Sequence, residues 1–169
     1  GVLVRQAGLA NARAAWASTF QLRATDVHLS LAQVGFDVFT GEWVRALGTG
    51  GHLVLCPWLT LFDPPALYAL LEQHRVTVVE FVPAIVRGML DYGEEKRLKL
   101  THVRLLIVGS DAWQIDEHRR AQSLLLRGRV VDTYGLTEGT VDSTCFDREP
   151  AEWPGKGPTP IGAELPGHR

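Results

Sequence analysis

From residue 131 the chain reads Val131-Asp132-Thr133-Tyr134-Gly135-Leu136-Thr137-Glu138-Gly139-Thr140, with an aromatic ring, a glycine, a hydroxyl and a carboxylate inside five positions. At the end of a strand, a tyrosine ring offers a face on which a purine can stack, and Gly135 lets the backbone come close to a ligand. Thr137 can donate to a phosphate oxygen, and Glu138 can hold Mg2+ through a hard oxygen. Taken alone, the same segment also reads as a turn around a buried tyrosine. A second chemically loaded position is Glu80, the one charged residue in the apolar run Val78-Val79-Glu80-Phe81-Val82. A carboxylate inside a buried strand needs a partner or a raised pKa, because ionised and alone it costs several kcal/mol.

These residues need elements to hold them. Leu9, Ala12, Trp16 and Phe20 recur at helical spacing, so a helix is expected over Leu9 to Leu22. Asp26 to Leu31 alternates as a short strand, and Phe36, Phe39, Trp43 and Leu47 mark a helix that Gly48 and Gly50 stop. The run His52 to Cys56 reads as a buried strand ended by Pro57, and Pro64 with Pro65 suits the first turn of a helix through Leu67, Leu70 and Leu71. Val76 to Val82 is a further buried strand, followed from Pro83 by a helix through Ile85, Met89 and Leu90. The mixed charges of Glu94 to Lys99 read as its fraying end or a solvated loop. Val103 to Val108 and Arg129 to Thr133 complete the strands, with a helix over Asp116 to Leu126 between them. Strands alternating with helices of this length imply βαβ units, hence an α/β fold with a mostly parallel sheet flanked by helices on both faces. Residues 1–152 are expected to form this core, and the Pro/Gly-rich stretch 153–169 an irregular tail.

Composition narrows the chemistry. At 169 residues the chain has room for one sizeable core, and a formal net charge of −2 gives no electrostatic case for nucleic acid or an anionic membrane. No apolar run approaches the roughly 20 residues of a membrane span. Cys56 and Cys145 have neither CxxC nor zinc spacing, which reads as an intracellular, cytoplasmic protein with reduced thiols. The six histidines show no paired metal spacing, and Trp16, Trp43 and Trp113 read as core anchors. GxxxxGK(S/T), GxGxxG after a strand and GxSxG are all absent, which removes P-loop nucleotidases, dinucleotide dehydrogenases and elbow hydrolases.

Tyr134-Gly135-Leu136-Thr137-Glu138 resembles the adenine and Mg2+ motif of the adenylate-forming superfamily, which includes acyl-CoA synthetases, luciferases and the adenylation domains of nonribosomal peptide synthetases. Other segments resemble that family's motifs in the expected order. Gly1-Val2-Leu3-Val4 followed by Gly8-Leu9 is similar to the end of its phosphate loop and the next helix, and Phe36-Asp37 to its substrate carboxylate and amine motif. Val108-Gly109-Ser110-Asp111 is similar to the turn lining adenine, and Pro160-Ile161-Gly162 to the segment after the central motif. The chain departs from the pattern at Gln6, where a histidine is common, and at Val108 to Asp111, where a Gly-Gly-Glu type of turn is commoner.

The resemblance implies roles. Tyr134 would stack on adenine, Asp132 would accept from its amino group, and Gly109, Ser110 and Gly135 would line it. Thr137 would contact the α-phosphate and Glu138 would bind Mg2+, making these two the catalytic pair. Asp37 would hold a substrate α-ammonium, with capping of the following helix as the alternative. Val38, Gly41, Glu80, Leu106, Val108, Thr133, Val141 and Asp142 would line the substrate pocket. Two acids there suggest a basic substrate such as ornithine, and the overall pattern also resembles ornithine-type pockets; the alternatives are that Glu80 bonds a backbone amide or an arginine such as Arg87, and that Asp142 faces water. The implied parent activates an amino acid with ATP and Mg2+ and loads it onto the phosphopantetheine thiol of a carrier protein. Without most of the phosphate loop, the ribose-binding aspartate, the hinge and the catalytic lysine, the 169-residue piece is expected to be inactive alone. An acyl- or aryl-acid ligase fragment and a non-catalytic interaction module are the rival readings.

Overall fold

The computed structural model describes residues 1–148 and 156–167. Five helices are described, α1 (Gln6–Thr19), α2 (Asp37–Leu47), α3 (Pro64–Gln73), α4 (Pro83–Lys96) and α5 (Ile115–Leu124). The strands are β1 (Val27–Ser30), β2 (His52–Leu55), β3 (Val78–Phe81), β4 (Leu105–Val108), β5 (Arg129–Tyr134), β6 (Thr144–Phe146) and β7 (Ala163–Glu164), in one sheet of order β2-β1-β3-β4-β5-β6-β7. The first five strands of that order run parallel, while β6 and β7 are antiparallel additions. Local chemistry starts the helices where expected. Asp63 accepts from the Ala66 amide ahead of Pro64 and Pro65, and Gln114 and Glu117 form a reciprocal capping box at α5.

Both sheet faces are covered. Ala12, Ala15, Trp16 and Phe20 of α1 and Val44 of α2 pack with Val78, Leu105, Ile107 and Val131 on one face. Side chains of α3, α4 and α5 pack with Val79, Leu106, Val108 and Val130 on the other. Every residue of β4 is buried, and each such aliphatic side chain contributes on the order of 1.5–3 kcal/mol. The segregation of helices follows from right-handed crossovers: the chain leaves β1 toward β2 through α2, then returns across β1 to β3 through α3 and proceeds the other way. The strand order therefore reverses between β1 and β3, the type of position where open α/β sheets bind ligands.

Three expectations change. The run from His52 is the sheet's edge strand and not a buried one, with Leu55 exposed, because β1 is its one strand neighbour among the described residues. Trp43 stands on the outer side of α2, off the inward face that carries Gly41 and Arg45. The tail expected to be irregular supplies β7, which pairs with β6. Its Leu165 is buried, and Thr159 N donates to Trp113 O at 2.8 Å. Two residues of strand are too few to create a periodic pattern, and pairing with β6 supplies their order. Residues 153–155 and 168–169 of that tail lie outside the described residues.

Candidate functional site

The carboxyl ends of β1, β3, β4 and β5 open toward one end of the sheet. After β1 the chain turns into α2, whose first residue is Asp37. After β5 it enters the turn that carries Gly135 and a single 3-10 turn at Thr137–Gly139. These two loops meet: Thr137 Oγ1 donates to Asp37 Oδ2 at 2.7 Å. The motif that suggested nucleotide chemistry and the acid that suggested an ammonium thus share one crevice. Asp37 is the first helical residue, after an extended Phe36 at the N-cap, and its carboxylate accepts from Thr137.

The turn is tight and strained. A Cβ at Gly135 would lie 1.7 Å from the Val141 carbonyl oxygen, so only glycine lets these backbones pass. Thr140 and Val141 hold φ of 70° and 71°, and Ser110, across the crevice, holds 71°. A β-branched residue in the left-handed region is unfavourable, and such strain concentrates at ligand-binding turns. Tyr134 is half exposed at the end of β5, and Glu138 is exposed. Asp132 is buried, and that burial pushes its carboxyl up to about 7. Gly109 closely approaches Thr133 across neighbouring strands. Among the described residues no group of three or more His, Cys, Asp and Glu could cage a metal. An exposed lone carboxylate such as Glu138 fits instead a Mg2+ held chiefly by nucleotide phosphates.

On the α1 and α2 face lies a buried ionic cluster. Arg45, 1% exposed, donates through Nη2 to Glu80 Oε2 and through Nη1 to Asp142 Oδ2 at 3.0 Å. The Asp142 Oδ2 also accepts from Trp16 Nε1 at 2.9 Å, and the guanidinium lies 4.9 Å from the Trp16 ring centroid. Gly41, one turn before Arg45, has no Cβ to obstruct it; one there would come within 3.3 Å of both guanidinium nitrogens and of Val141 Cγ1. Burial works against the Arg45 charge, but Glu80, Asp142 and Glu42 outweigh it and hold the arginine charged. Burial, reinforced by Asp142 and Glu42, raises Glu80 to about 8 despite Arg45.

The cation expected between Glu80 and Asp142 therefore belongs to the chain itself. It is Arg45 and not Arg87, which pairs with Glu117, and Asp142 is buried rather than facing water. Leu106 and Val108 are fully buried among α3, α4 and α5 side chains, on the face opposite Glu80, because Glu80 is in register with Ile107 and successive residues alternate. Thr133, Val141, Asp142 and Gly41 gather on the Glu80 face, Val38 follows Asp37 on α2, and Asp132 shares the face of Val108. Sequence reasoning missed Arg45, Trp16 and Glu42, whose carboxylate accepts from Ser30 Oγ at 2.6 Å and the Leu31 amide at 2.9 Å. A signal existed: Asp37, Gly41 and Arg45 recur every four residues, hence along one helix face.

A cavity of about 430 Å3 lies at the reversal of strand order, between the loop after β1, the ends of β3 and β4, and the 3-10 turn at Trp58–Thr60. Its wall includes Phe36 and Val38 on either side of Asp37, and Gly109 with Ser110.

Comparison with known proteins agrees. The sequence profile described as AMP-binding enzyme matches residues 1–169. Tyrocidine synthase 3 of Brevibacillus parabrevis is 33% identical over 171 residues, covering 98% of this chain and 3% of that protein. Gramicidin S synthase 2 of Brevibacillus brevis is 33% identical over 164 residues, covering 96% and 4%. A crystal structure of the nonribosomal peptide synthetase FmoA3 superposes with a TM-score of 0.89 at 25% identity, over 98% of this chain and 18% of that one. The chain thus spans a small part of the proteins it matches. With the ordered motifs, the parallel sheet and a profile matching from end to end, the chain belongs to the AMP-binding enzyme family.

Proposed function

We propose that this chain is the substrate- and adenine-binding part of an amino-acid adenylation domain in a nonribosomal peptide synthetase. The observation that carries the reading is the 2.7 Å bond between Thr137 and Asp37, which joins the nucleotide motif to an acid suited to an α-ammonium. In this reading the parent, acting in the cytoplasm, joins an amino-acid carboxylate to the α-phosphorus of ATP and releases pyrophosphate. The acyl group then passes to a carrier-protein thiol. Tyr134 stacks on the purine, Asp132 accepts from its amino group, and Gly109 and Ser110 line it. Thr137 orients the α-phosphate, and Glu138 contributes one oxygen to Mg2+, which offsets phosphate charge when bound. Catalysis of this kind is positioning and charge stabilisation.

The expectation of a basic substrate rested on the need for a cation between Glu80 and Asp142 and on a resemblance to ornithine-type pockets, and Arg45 meets the first of these. The test of the amino-acid reading is pyrophosphate exchange by the intact parent domain. Asp37→Ala should lower kcat/KM for the amino acid by about ten- to a hundredfold, the worth of one charge-assisted bond. Unchanged activation by that variant would transfer the chain to the acyl- or aryl-acid ligases. The 169-residue chain alone should show at most weak ATP binding, read from tyrosine and tryptophan fluorescence, and no exchange.

A further inference from the structure

The cavity and the buried ionic cluster share a wall. Glu80 lines the cavity with one side and bonds Arg45 with the other, and Glu42 lines it as well. Both carboxylates are already engaged. Glu80 Oε2 accepts from Arg45, and Glu42 accepts from Ser30 Oγ and the amides of Leu31 and Ala32. The rest of the wall is largely apolar, with Val38, Trp58, Phe62, Phe81 and Ile85 among its side chains. A cationic side chain entering here would meet carboxylates that already accept bonds from the chain, with a fixed guanidinium behind Glu80. An uncharged apolar side chain would meet complementary surface, and 430 Å3 gives room for an aromatic or long aliphatic group.

We propose that Arg45 is a specificity-determining residue: its guanidinium occupies the place of a substrate cation, so that the site accepts amino acids with uncharged, apolar side chains and rejects basic ones. This rests on the amino-acid adenylation reading above. Arg45 acts through Glu80 and Asp142 and is a positioning residue. Gly41 is its companion, since any larger residue one turn earlier would crowd the guanidinium against Val141. Without Arg45, Glu80 would face the cavity with its charge uncompensated and Asp142 behind it would keep Trp16 alone, and a substrate cation would become the means of satisfying them.

The experiment is amino-acid-dependent pyrophosphate exchange by the full-length parent synthetase, with phenylalanine, leucine, ornithine and lysine as substrates. The wild type should activate the apolar pair in preference to the basic pair. In Arg45→Ala the ratio of kcat/KM for basic over apolar substrates should rise by about ten- to a hundredfold, mainly through KM, while Arg45→Lys keeps the wild-type ratio. A structural role alone would lower activity on all four substrates together. Should Arg45→Ala not fold, the neutral triple variant R45M/E80Q/D142N tests the same point. It should retain the apolar preference and gain nothing for ornithine. A wild type that prefers ornithine or lysine overturns the proposal, as does a folded Arg45→Ala with an unchanged ratio or a triple variant that gains ornithine. A wild type that exchanges with no amino acid but does so with an aryl or acyl acid overturns the adenylation reading itself, and this proposal with it.

Discussion

At the scale of single residues, the site turns on places where a side chain is missing. Gly135 lies against the Val141 carbonyl, and no rotamer can relieve a Cβ placed 1.7 Å from a backbone oxygen. Gly135→Ala should therefore destabilise the chain by about 3 kcal/mol, the upper end of the cost of forcing an atom into a filled space. Gly139 sits four residues on, where a Cβ would meet only the Ser143 hydroxyl at 2.8 Å, a group that can rotate away. Gly139→Ala should cost less than about 1 kcal/mol. Urea midpoints of the two variants compare them directly, and equal losses would show that the Gly135 approach is not needed for the turn.

Elements explain why the acids and the arginine meet. An α-helix brings residues four apart onto nearly one line, so Asp37, Gly41 and Arg45 descend from the crevice toward the sheet. The strand β3 then presents Glu80 to that line, while its neighbours Val79 and Phe81 enter the opposite core. Helix ends leave room for improvement away from the site. The helix α4 stops at Arg97 in the left-handed region, with φ of 54° and an exposed side chain. Glycine is the residue that adopts this conformation without a Cβ penalty. Arg97→Gly should raise stability by about 0.5–1 kcal/mol without altering nucleotide affinity in the parent, read by thermal melting beside an ATP titration. A loss of stability would mean that the Arg97 side chain contributes more than its backbone strain costs.

Across the whole molecule, burial sets protonation. His118, 0% exposed, is held down to about 4 chiefly by burial, against a donation to the Val130 backbone that only partly offsets it. Its ordinary value is 6.5, so between pH 6.5 and 4 the unfolded chain binds a proton that the folded chain refuses. Stability from this group is thus lost as pH falls through that window. Asp132 and Glu80 act in the opposite sense, since their folded values near 7 and 8 exceed their ordinary ones and protonation favours the folded state as pH falls. The sum can look flat while each part is steep. His118→Gln isolates one part: relative to wild type, the variant should gain about 2 kcal/mol on going from pH 7 to pH 5, measured by urea unfolding. A pH-independent difference would show that His118 titrates normally in the folded protein. The described residues contain no helix long and apolar enough to cross a membrane.

Sequence alone determined the features governed by local pattern. Apolar periods and proline positions marked the five parallel strands and the helices between them, because each period reports which face of one element meets a core. The spacing of Tyr134, Gly135, Thr137 and Glu138 marked the candidate site, because those residues act from a single turn. Glu80 was legible as an anomaly, since a charge inside an apolar run must be satisfied somewhere. Only the tertiary structure decided by what. Arg45 lies 35 positions from Glu80 and 97 from Asp142 along the chain, and nothing in a linear sequence says that two elements so far apart converge. The same holds for the sides of the sheet to which Leu106 and Val108 belong, for the edge position of β2, and for β7. Each depends on strand order and register, which are fixed by packing between elements and not by the pattern within one.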